Sequence, residues 1–268
     1  MLKWLRSRAV SLLESHPYGY ALGVRLVTAT DLFLPHEQDY YGFRSLAGDR
    51  RTGLFLDLGA NRGHSARGFA KLVPGWDVLS VEPNPLHEAH LQRLSQKDNR
   101  FRYRMAAVDH TSGSELTLYV PFLGRIPLHS AAAVTLAEAR SGIELSFPRQ
   151  ASRVRYVEFT ATTTTIDDLN VDPQIIKFDI QGKELDALKG ASRTLTSSSP
   201  DLLIEITFAE AELIEYLEPF GYRPYVYEHA TDRFGPYLGA GTSPSRNVFF
   251  SKGNLADKSR DAPATFGV

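Results

Sequence analysis

Short runs of hydrophobic residues alternate along this chain with longer segments in which hydrophobic residues recur every three or four positions, from Gly53 to Phe250. The short runs predict buried strands, and the periodic segments predict helices with one buried face. Strands that alternate with helices are typical of βαβ units and a mainly parallel sheet. The pattern therefore predicts an α/β fold with helices on both faces of one sheet.

The predicted sheet has seven strands and is mostly parallel, with a terminal antiparallel hairpin. Its strands are predicted at 54–58, 77–82, 101–108, 175–180, 202–206, 224–227 and 247–250, and its helices at about 65–72, 85–96, 185–195 and 210–217. Two further strands, at 114–120 and 157–163, flank an irregular stretch at 121–150 that contains three prolines. We interpret the region at about 110–163 as a β-rich insertion.

The domain organisation follows from these elements. We expect an N-terminal helical extension at 1–51, a Rossmann-like domain at 52–252 and a flexible tail at 253–268. Trp4, Leu5, Leu12 and Leu13 share one face of the first helix beside basic residues. That helix packs on its own domain or, alternatively, lies on a membrane surface. No apolar run reaches the roughly 18 residues of a membrane span and no cleavage site follows the N-terminus, so a cytoplasmic protein is expected.

Composition and charge exclude several classes of function. Lys and Arg number 30 against 31 for Asp and Glu, whereas proteins that bind nucleic acid usually have a basic excess, so we expect no nucleic-acid partner. The chain has no Cys, which excludes disulfide frameworks, thiolate metal sites and Cys nucleophiles. A homo-oligomer is compatible with this composition but is not indicated by it.

The first predicted strand ends in a Gly-rich turn, with Asp57 two residues before Gly59, Ala60, Asn61 and Gly63. A strand, a tight turn and a helix N-terminus together present backbone amides to an anionic or polar ligand. The dinucleotide fingerprint needs a second Gly under the pyrophosphate, and this chain has Asn61 there. A ligand without a pyrophosphate fits better, and a nicotinamide-dependent oxidoreductase is the alternative.

Two further acids end neighbouring predicted strands. Glu82, followed by Pro83, ends the second strand, where an acid can accept hydrogen bonds from both ribose hydroxyls. Asp109 ends the third strand, where an adenine amino group lies in such a fold, although acids also cap strand ends without a ligand. Together with the Gly-rich turn, these positions predict a nucleoside site.

At this point several motifs, in order, resemble the FkbM-type methyltransferases. They are FLDLGANRG at 55–63, VEPNP at 81–85, TTIDDL at 164–169, IKFDIQGKE at 176–184 and LKGA at 188–191. The resemblance implies a class I methyltransferase with S-adenosylmethionine as its cofactor, acting on a hydroxyl of a sugar, glycolipid or polyketide. It also implies that the Gly-rich turn contacts the methionine moiety, Glu82 the ribose and Asp109 the adenine. The family usually has Glu where this chain has Gln181, so a non-catalytic S-adenosylmethionine-binding protein is the second alternative.

A hydroxyl that accepts a methyl group must lose its proton, so a base is expected near the methyl. Asp179 ends the fourth strand, where open α/β sheets bind their ligands, and is the first candidate both for the base and for a cofactor contact. Its alternative role is to cap the next helix. Glu205, which ends the next strand, and His129, in the insertion, are the other candidates. An alternative role for Lys177 and Glu184 is a structural ion pair on either side of the turn.

A divalent metal is the mechanistic alternative to an unaided base. Asp179, Gln181, Glu184 and Glu205 offer oxygen ligands of the kind that Mg²⁺ accepts. Their spacing does not distinguish a metal site from an ordinary turn. The amide of Gln181 is a poorer metal ligand than a carboxylate and weakens the case for a metal. We therefore assign no metal ligands and favour a reaction without Mg²⁺.

Overall fold

The structure is a computed structural model that describes residues 37–206, 209–239 and 246–258. Its contacts divide the chain into two compact units, which we describe one at a time: residues 115–162 form one, and the described residues on either side of them form the larger one. The strands are β1 (Leu54–Leu58), β2 (Asp77–Glu82), β3 (Phe101–Met105), β4 (Ala107–Val108), β5 (Glu115–Leu123), β6 (Ile126–Pro127), β7 (Val154–Thr164), β8 (Ile175–Phe178), β9 (Asp201–Glu205), β10 (Arg223–Glu228), β11 (Arg233–Pro236) and β12 (Asn247–Ser251). The α-helices are α1 (Gly42–Ala47), α2 (His64–Leu72), α3 (Glu88–Lys97), α4 (Leu136–Ser146), α5 (Glu184–Lys189), α6 (Ser192–Ser197), α7 (Glu210–Leu217) and α8 (Leu255–Lys258).

The larger unit is built on an eight-stranded sheet in the order β11-β10-β12-β9-β8-β1-β2-β3. Strands β9, β8, β1, β2 and β3 pair in parallel, whereas β12 is antiparallel to both β9 and β10. The predicted α/β fold with a mostly parallel sheet and a terminal antiparallel hairpin is confirmed. The eighth strand, β11, was expected to be loop; Phe234 brings it into the sheet, since this side chain is buried and packs on Tyr227 with ring centroids 5.2 Å apart.

The core lies on both faces of this sheet, because the side chains of the central strands are hydrophobic on both sides. One face carries Leu56, Ile176 and Ile204 against the buried side of α5 and α7. The other carries Phe55 and Phe249 against α1, α2 and α3. Strands buried on both faces are expected in parallel sheets and explain the continuous hydrophobic runs of β1, β8 and β9.

Two predicted elements are interrupted in the structure. The helix expected at 185–195 breaks into α5 and α6 at Gly190, where a Cβ atom would come within 2.5 Å of the Asp109 carbonyl oxygen. The strand expected at 101–108 is interrupted at Ala106, whose backbone N–H donates to the Glu82 carbonyl at 3.1 Å. Gly190 thus contacts backbone that is distant in sequence, whereas Ala106 separates β3, in the eight-stranded sheet, from β4, which pairs with β7.

The unit at 115–162 contains the antiparallel pairs β5–β6 and β5–β7. The stretch expected to be irregular contains the eleven-residue helix α4, so that expectation is corrected. The Thr135 hydroxyl accepts a hydrogen bond from the Glu138 backbone N–H at 3.2 Å and donates one to the Glu138 carboxylate at 2.7 Å. These two hydrogen bonds cap the N-terminus of α4. Leu128, Ile143 and Phe147 form a small hydrophobic core inside this unit.

The ends of the chain are described only in part. The predicted amphipathic helix with Trp4, Leu5, Leu12 and Leu13, and with it the membrane-surface alternative, lies outside the described residues, as do residues 259–268 of the predicted tail. Within that tail, Leu255 begins α8 and is fully buried. In the described ranges, no helix is long and apolar enough to cross a membrane.

Candidate active site

Four acids lie at the carboxyl ends of four neighbouring strands. Asp57 belongs to β1, Glu82 ends β2, Asp179 follows β8 and Glu205 ends β9, and these strands are adjacent in the order β9-β8-β1-β2. The connections change direction between β1 and β8, and this switch point is where open α/β sheets bind their ligands. The sheet therefore brings together four of the residues selected from the sequence.

A row of polar side chains crosses the middle of the sheet. Ser80, Asp57 and Lys177 are register partners on β2, β1 and β8, so that their side chains point to the same face. Asp57 is fully buried and accepts hydrogen bonds from Ser80 Oγ at 3.0 Å and from Ser65 Oγ at 2.7 and 2.8 Å. Burial raises the pKa of Asp57, although the Lys177 ammonium and the two serine hydroxyls partly oppose it.

The backbone amides of the Gly-rich turn are hydrogen-bonded to the end of β2. The N–H groups of Gly59 and Ala60 donate to the Val81 carbonyl at 3.0 and 3.2 Å, and that of Asn61 donates to Glu82 Oε2 at 2.7 Å. The Gly63 N–H donates to the Ala60 carbonyl at 2.8 Å. The expectation that these amides are open to a ligand is corrected, because the chain itself uses four of them.

Gly59 has a steric reason to be glycine. Its φ is +78°, and a Cβ atom there would lie 1.8 Å from the Asp179 carbonyl oxygen. Asp179 in turn donates its N–H to the Leu58 carbonyl at 3.1 Å. The ends of β1 and β8 thus approach each other more closely than any side chain at Gly59 allows.

Glu82 binds backbone N–H groups of the Gly-rich turn and is nearly inaccessible to solvent. Its two carboxylate oxygens accept the backbone N–H groups of Asn61, at 2.7 Å, and Asn84, at 2.8 Å. The residue is only 6% exposed. Burial, together with repulsion from Asp57 and Asp179, outweighs these hydrogen bonds and raises the pKa of Glu82 to about 7.

Asp179 is the centre of a hydrogen-bonded group. Its carboxylate accepts from Lys177 Nζ at 3.1 Å and from Gln181 Nε2 at 3.1 Å, and it is hydrogen-bonded to the Glu205 carboxyl. Burial alone would raise the pKa of Asp179, but the Lys177 ammonium and the hydrogen bonds from Glu205 and Gln181 lower it overall. Burial and the neighbouring Asp179 carboxylate raise the pKa of Glu205 to about 8. At neutral pH, Asp179 is therefore ionised and Glu205 is the proton donor between them.

The turn after Asp179 is held by Glu184. Its Oε1 accepts from the backbone N–H groups of Ile180 at 3.1 Å and Gly182 at 3.2 Å, while Gln181 and Gly182 have positive φ. Lys177 contacts Asp179 and Asp57 instead, at 3.1 and 3.8 Å, so the alternative of an ion pair between Lys177 and Glu184 is wrong. Glu184 orders the loop through backbone amides because it starts α5 on the far side of the turn.

Three other residues selected from the sequence are Pro83, Asp109 and His129. Pro83 follows Glu82 and is half-buried. Asp109 follows β4 and accepts hydrogen bonds from its neighbour His110, from the backbone N–H and from Nδ1, each at 2.6 Å. His129 begins a 3₁₀ turn in the unit at 115–162, whereas the other candidates belong to the larger unit.

Lys177 and Tyr40 were not predicted as part of the site. A lysine inside the hydrophobic run of β8 was the available signal for the first, because a buried ammonium needs nearby carboxylates. Among the described residues, no group of three or more His, Cys, Asp or Glu side chains is arranged to hold a metal ion.

Comparison with known proteins gives one match to a protein family. The family model described as the methyltransferase FkbM domain matches residues 57–224, a range that includes Asp57, Glu82, Asp179 and Glu205. No curated protein matches.

Several solved structures are similar in parts of their fold. The methyltransferase FkbM from Methylobacillus flagellatus KT is 18% identical over 80% of this chain, with a TM-score of 0.47, and this chain spans half of its length. A TehB-like SAM-dependent methyltransferase from Corynebacterium glutamicum is 14% identical over 89% of this chain and 99% of its own, with a TM-score of 0.45. Aeropyrum pernix fibrillarin in complex with S-adenosyl-L-methionine is 10% identical over 80% of this chain and 76% of its own, with a TM-score of 0.41.

Proposed function

The chain belongs to the methyltransferase FkbM family, and from that premise we propose that it transfers a methyl group from S-adenosylmethionine to a hydroxyl of a small or glycosylated metabolite. The observation that carries the proposal is the group of acids at the switch point of the sheet. Asp57, Glu82, Asp179 and Glu205 lie there at the ends of adjacent strands, and the ammonium of Lys177 contacts Asp57 and Asp179.

The charges and donors of this site fit S-adenosylmethionine. The carboxyl groups outnumber the ammonium, and burial first, with repulsion from Asp179 in addition, raises the pKa of both Glu82 and Glu205. A ligand that brings positive charge and hydroxyl donors relieves that repulsion. S-adenosylmethionine brings a sulfonium, an α-ammonium and a ribose diol. Glu82 is the residue that would receive the diol, since each of its oxygens has a lone pair left after the backbone N–H groups of Asn61 and Asn84 are counted.

Asp179 is the residue that would take the proton from the acceptor. When bound, S-adenosylmethionine supplies a methyl group on a positively charged sulfur. The Asp179 carboxylate would accept the hydroxyl proton of the acceptor while that methyl group passes from the sulfur to the acceptor oxygen. An attacking hydroxyl becomes strongly acidic as the new bond forms, so a carboxylate with a lowered pKa suffices as the base.

Glu205, Lys177 and Gln181 hold that carboxylate in place. All three donate to Asp179, which leaves it ionised and orients its remaining lone pairs. Where the family usually has Glu, Gln181 gives Asp179 a hydrogen-bond donor in place of a like charge. The substitution therefore supports, rather than abolishes, a catalytic role for Asp179.

Ligand binding and turnover test this proposal separately. The full chain is titrated with S-adenosylhomocysteine and with NADH by calorimetry, and then incubated with S-adenosylmethionine and a panel of sugar, glycolipid and polyketide alcohols while methyl transfer is measured. We expect binding of S-adenosylhomocysteine only, and transfer to oxygen in one class of alcohol. Binding of NADH alone would favour the oxidoreductase alternative. Binding of S-adenosylhomocysteine without turnover on any hydroxyl would favour the non-catalytic one.

The same assay addresses the metal alternative. Wild-type turnover is compared with and without EDTA, and after addition of Mg²⁺ to the treated protein. We propose that Asp179 acts as a base without a metal ion and expect the same rate in all three samples. A loss with EDTA that Mg²⁺ restores would make Asp179 and Glu205 metal ligands instead.

A further inference from the structure

Tyr40 lies in a segment that precedes β1 and is outside the family match at 57–224. It belongs to the 3₁₀ turn Gln38–Tyr41, and the next helix, α1, places the Phe43 ring 5.2 Å from the Phe55 ring on β1. Phe55 and Asp57 are two residues apart on one strand and so point to the same face. Tyr40, one turn before Phe43, therefore lies on the face of the sheet that carries Asp57 and Lys177.

A second set of contacts fixes the start of this segment at the same edge of the sheet. Asn247 on β12 is the register partner of Glu205 on β9. Its side-chain amide donates to the carboxylates of Glu37 and Asp39, which flank the start of the 3₁₀ turn. The segment that carries Tyr40 is thus held against the carboxyl ends of the strands that form the candidate active site.

The hydroxyl of Tyr40 has no hydrogen-bond partner among the residues that the structure describes, although the residue is only 2% exposed. The described polar atoms that are buried without a partner do not include this hydroxyl, so it keeps some contact with solvent and a ligand can reach it. Burial raises the pKa of Tyr40 well above its usual value, and the charges that act on it are those of Lys177, Glu37, Asp179 and Asp57. The phenol is therefore a neutral donor in a charged site, and no described residue uses it.

We propose that Tyr40 donates a hydrogen bond to the α-carboxylate of the methionine moiety of the cofactor, an inference that rests on the proposed function. An amino-acid head has an ammonium and a carboxylate side by side. The carboxylates of Asp57 and Asp179 complement the first, and the Tyr40 hydroxyl beside the Lys177 ammonium complements the second. Glu37 and the other carboxylates that act on Tyr40 accept hydrogen bonds and do not donate them. The Tyr40 hydroxyl is neutral, and it can donate to an anionic group without displacing a hydrogen bond between described residues.

The test compares two ligands on three proteins. S-adenosylhomocysteine has the carboxylate, whereas its decarboxylated form, S-adenosyl-3-thiopropylamine, keeps the ammonium and lacks the carboxylate. Both are titrated by calorimetry into wild type, Tyr40→Phe and Tyr41→Phe. Tyr41 is the matched control, because its ring faces His229, 4.6 Å away, and Arg44, 5.0 Å away.

We expect Tyr40→Phe to weaken S-adenosylhomocysteine about tenfold or more, the usual effect of a hydrogen bond to a charged group, and to leave the affinity for the decarboxylated ligand unchanged. Tyr41→Phe should change neither. Thermal unfolding without ligand should give Tyr40→Phe nearly the same Tm as wild type, since the substitution removes a hydroxyl that is hydrogen-bonded to no described residue.

Other outcomes would overturn the inference. An equal loss for both ligands, or no loss for either, would mean that Tyr40 does not recognise the carboxylate. A lower Tm would mean that its hydroxyl stabilises the fold, and a higher acceptor KM with unchanged S-adenosylhomocysteine affinity would place the acceptor at Tyr40. If wild type binds neither ligand, the proposed function itself fails, and this inference fails with it.

Discussion

Asp57 and Lys177 are register partners on adjacent parallel strands, with Nζ 3.8 Å from Oδ1 and both side chains buried. The same ammonium lies 3.1 Å from Asp179. One lysine thus connects the acid beneath the Gly-rich turn to the proposed base at the end of the next strand. A buried ion pair is a weak source of stability by itself, but its loss leaves an uncompensated charge in the protein.

Replacing Lys177 should therefore be costly. We expect Lys177→Met to lower the free energy of unfolding at pH 7 by about 3–5 kcal/mol, because Asp57 and Asp179 then remain buried without a cation. The loss should shrink toward pH 4, where these carboxyl groups become protonated. Urea unfolding across that pH range measures both effects.

Lys97→Met is the control for this substitution, because Lys97 is exposed on α3 and should change stability by no more than about 0.5 kcal/mol. A Lys177→Met protein as stable as the control would show that the charges at Asp57 and Asp179 do not depend on Lys177.

Glu82 should make the stability of the ligand-free protein depend on pH. Its pKa is raised from 4.5 to about 7, so the folded state binds this proton more tightly than the unfolded state does. The corresponding stability is fully present below pH 4.5 and is lost as the pH rises through 7. The shift amounts to about 3 kcal/mol at most.

Glu82→Gln cannot titrate, and this variant should lose less stability between pH 5 and pH 8 than wild type by on the order of 2–3 kcal/mol. Urea unfolding at the two pH values gives this difference, and Glu88→Gln, at an exposed position on α3, should behave like wild type. Parallel losses in wild type and Glu82→Gln would contradict the raised pKa. Glu205 contributes to the absolute slope in all three proteins, so only the difference between them is diagnostic.

Much of this site could be predicted from the sequence because parallel strands end together. Once the hydrophobic runs located β1, β2, β8 and β9, the acids at their ends had to be neighbours. Lys177 and Tyr40 could not be assigned in this way, since their roles depend on which strands pair and on where a segment outside the sheet packs. The protonation of Glu205 depends on its burial beside Asp179, and the sequence around Glu205 does not indicate that contact.

The fold was predicted less well where local signals conflicted. Prolines and small residues favoured an irregular stretch at 121–150, although Thr135 and Glu138 have the spacing of a helix cap that α4 uses. The helix predicted at 185–195 includes Gly190. Its contact with the backbone of Asp109, which breaks that helix, is visible only in three dimensions.

Gly59 offers a test of the close approach between β1 and β8. Gly59→Ala should lower the free energy of unfolding by more than about 2 kcal/mol, because it adds a collision with the Asp179 carbonyl to the strain of a positive φ. Gly113→Ala is the control, since Gly113 has a φ of +83° but no described atom within 4 Å of the point where a Cβ atom would lie. Equal losses in the two variants, measured by urea unfolding, would mean that backbone strain alone makes Gly59 necessary.

The roles of Asp179 and Glu205 can be separated by their kinetics. Asp179→Asn removes the proton acceptor while keeping the shape of the side chain, so kcat should fall about 10²-fold or more. The affinity for S-adenosylhomocysteine should fall far less than kcat, because that ligand has no proton to transfer and an amide oxygen can still accept a hydrogen bond from its ammonium. Glu205→Gln keeps a hydrogen-bond donor beside Asp179 and imitates the protonated Glu205 of the neutral-pH enzyme, so its kcat at pH 7 should stay within about threefold of wild type.

The pH profile of kcat distinguishes these assignments further. Wild type should change near pH 8, where Glu205 loses its proton and repels the Asp179 carboxylate, and Glu205→Gln should lack that change. Near-normal kcat in Asp179→Asn together with a large loss in Glu205→Gln would exchange the two roles and make Glu205 the base. Near-normal kcat in both variants would exclude Asp179 and Glu205 as the base, and His129→Ala, at the third candidate, is then the variant to measure.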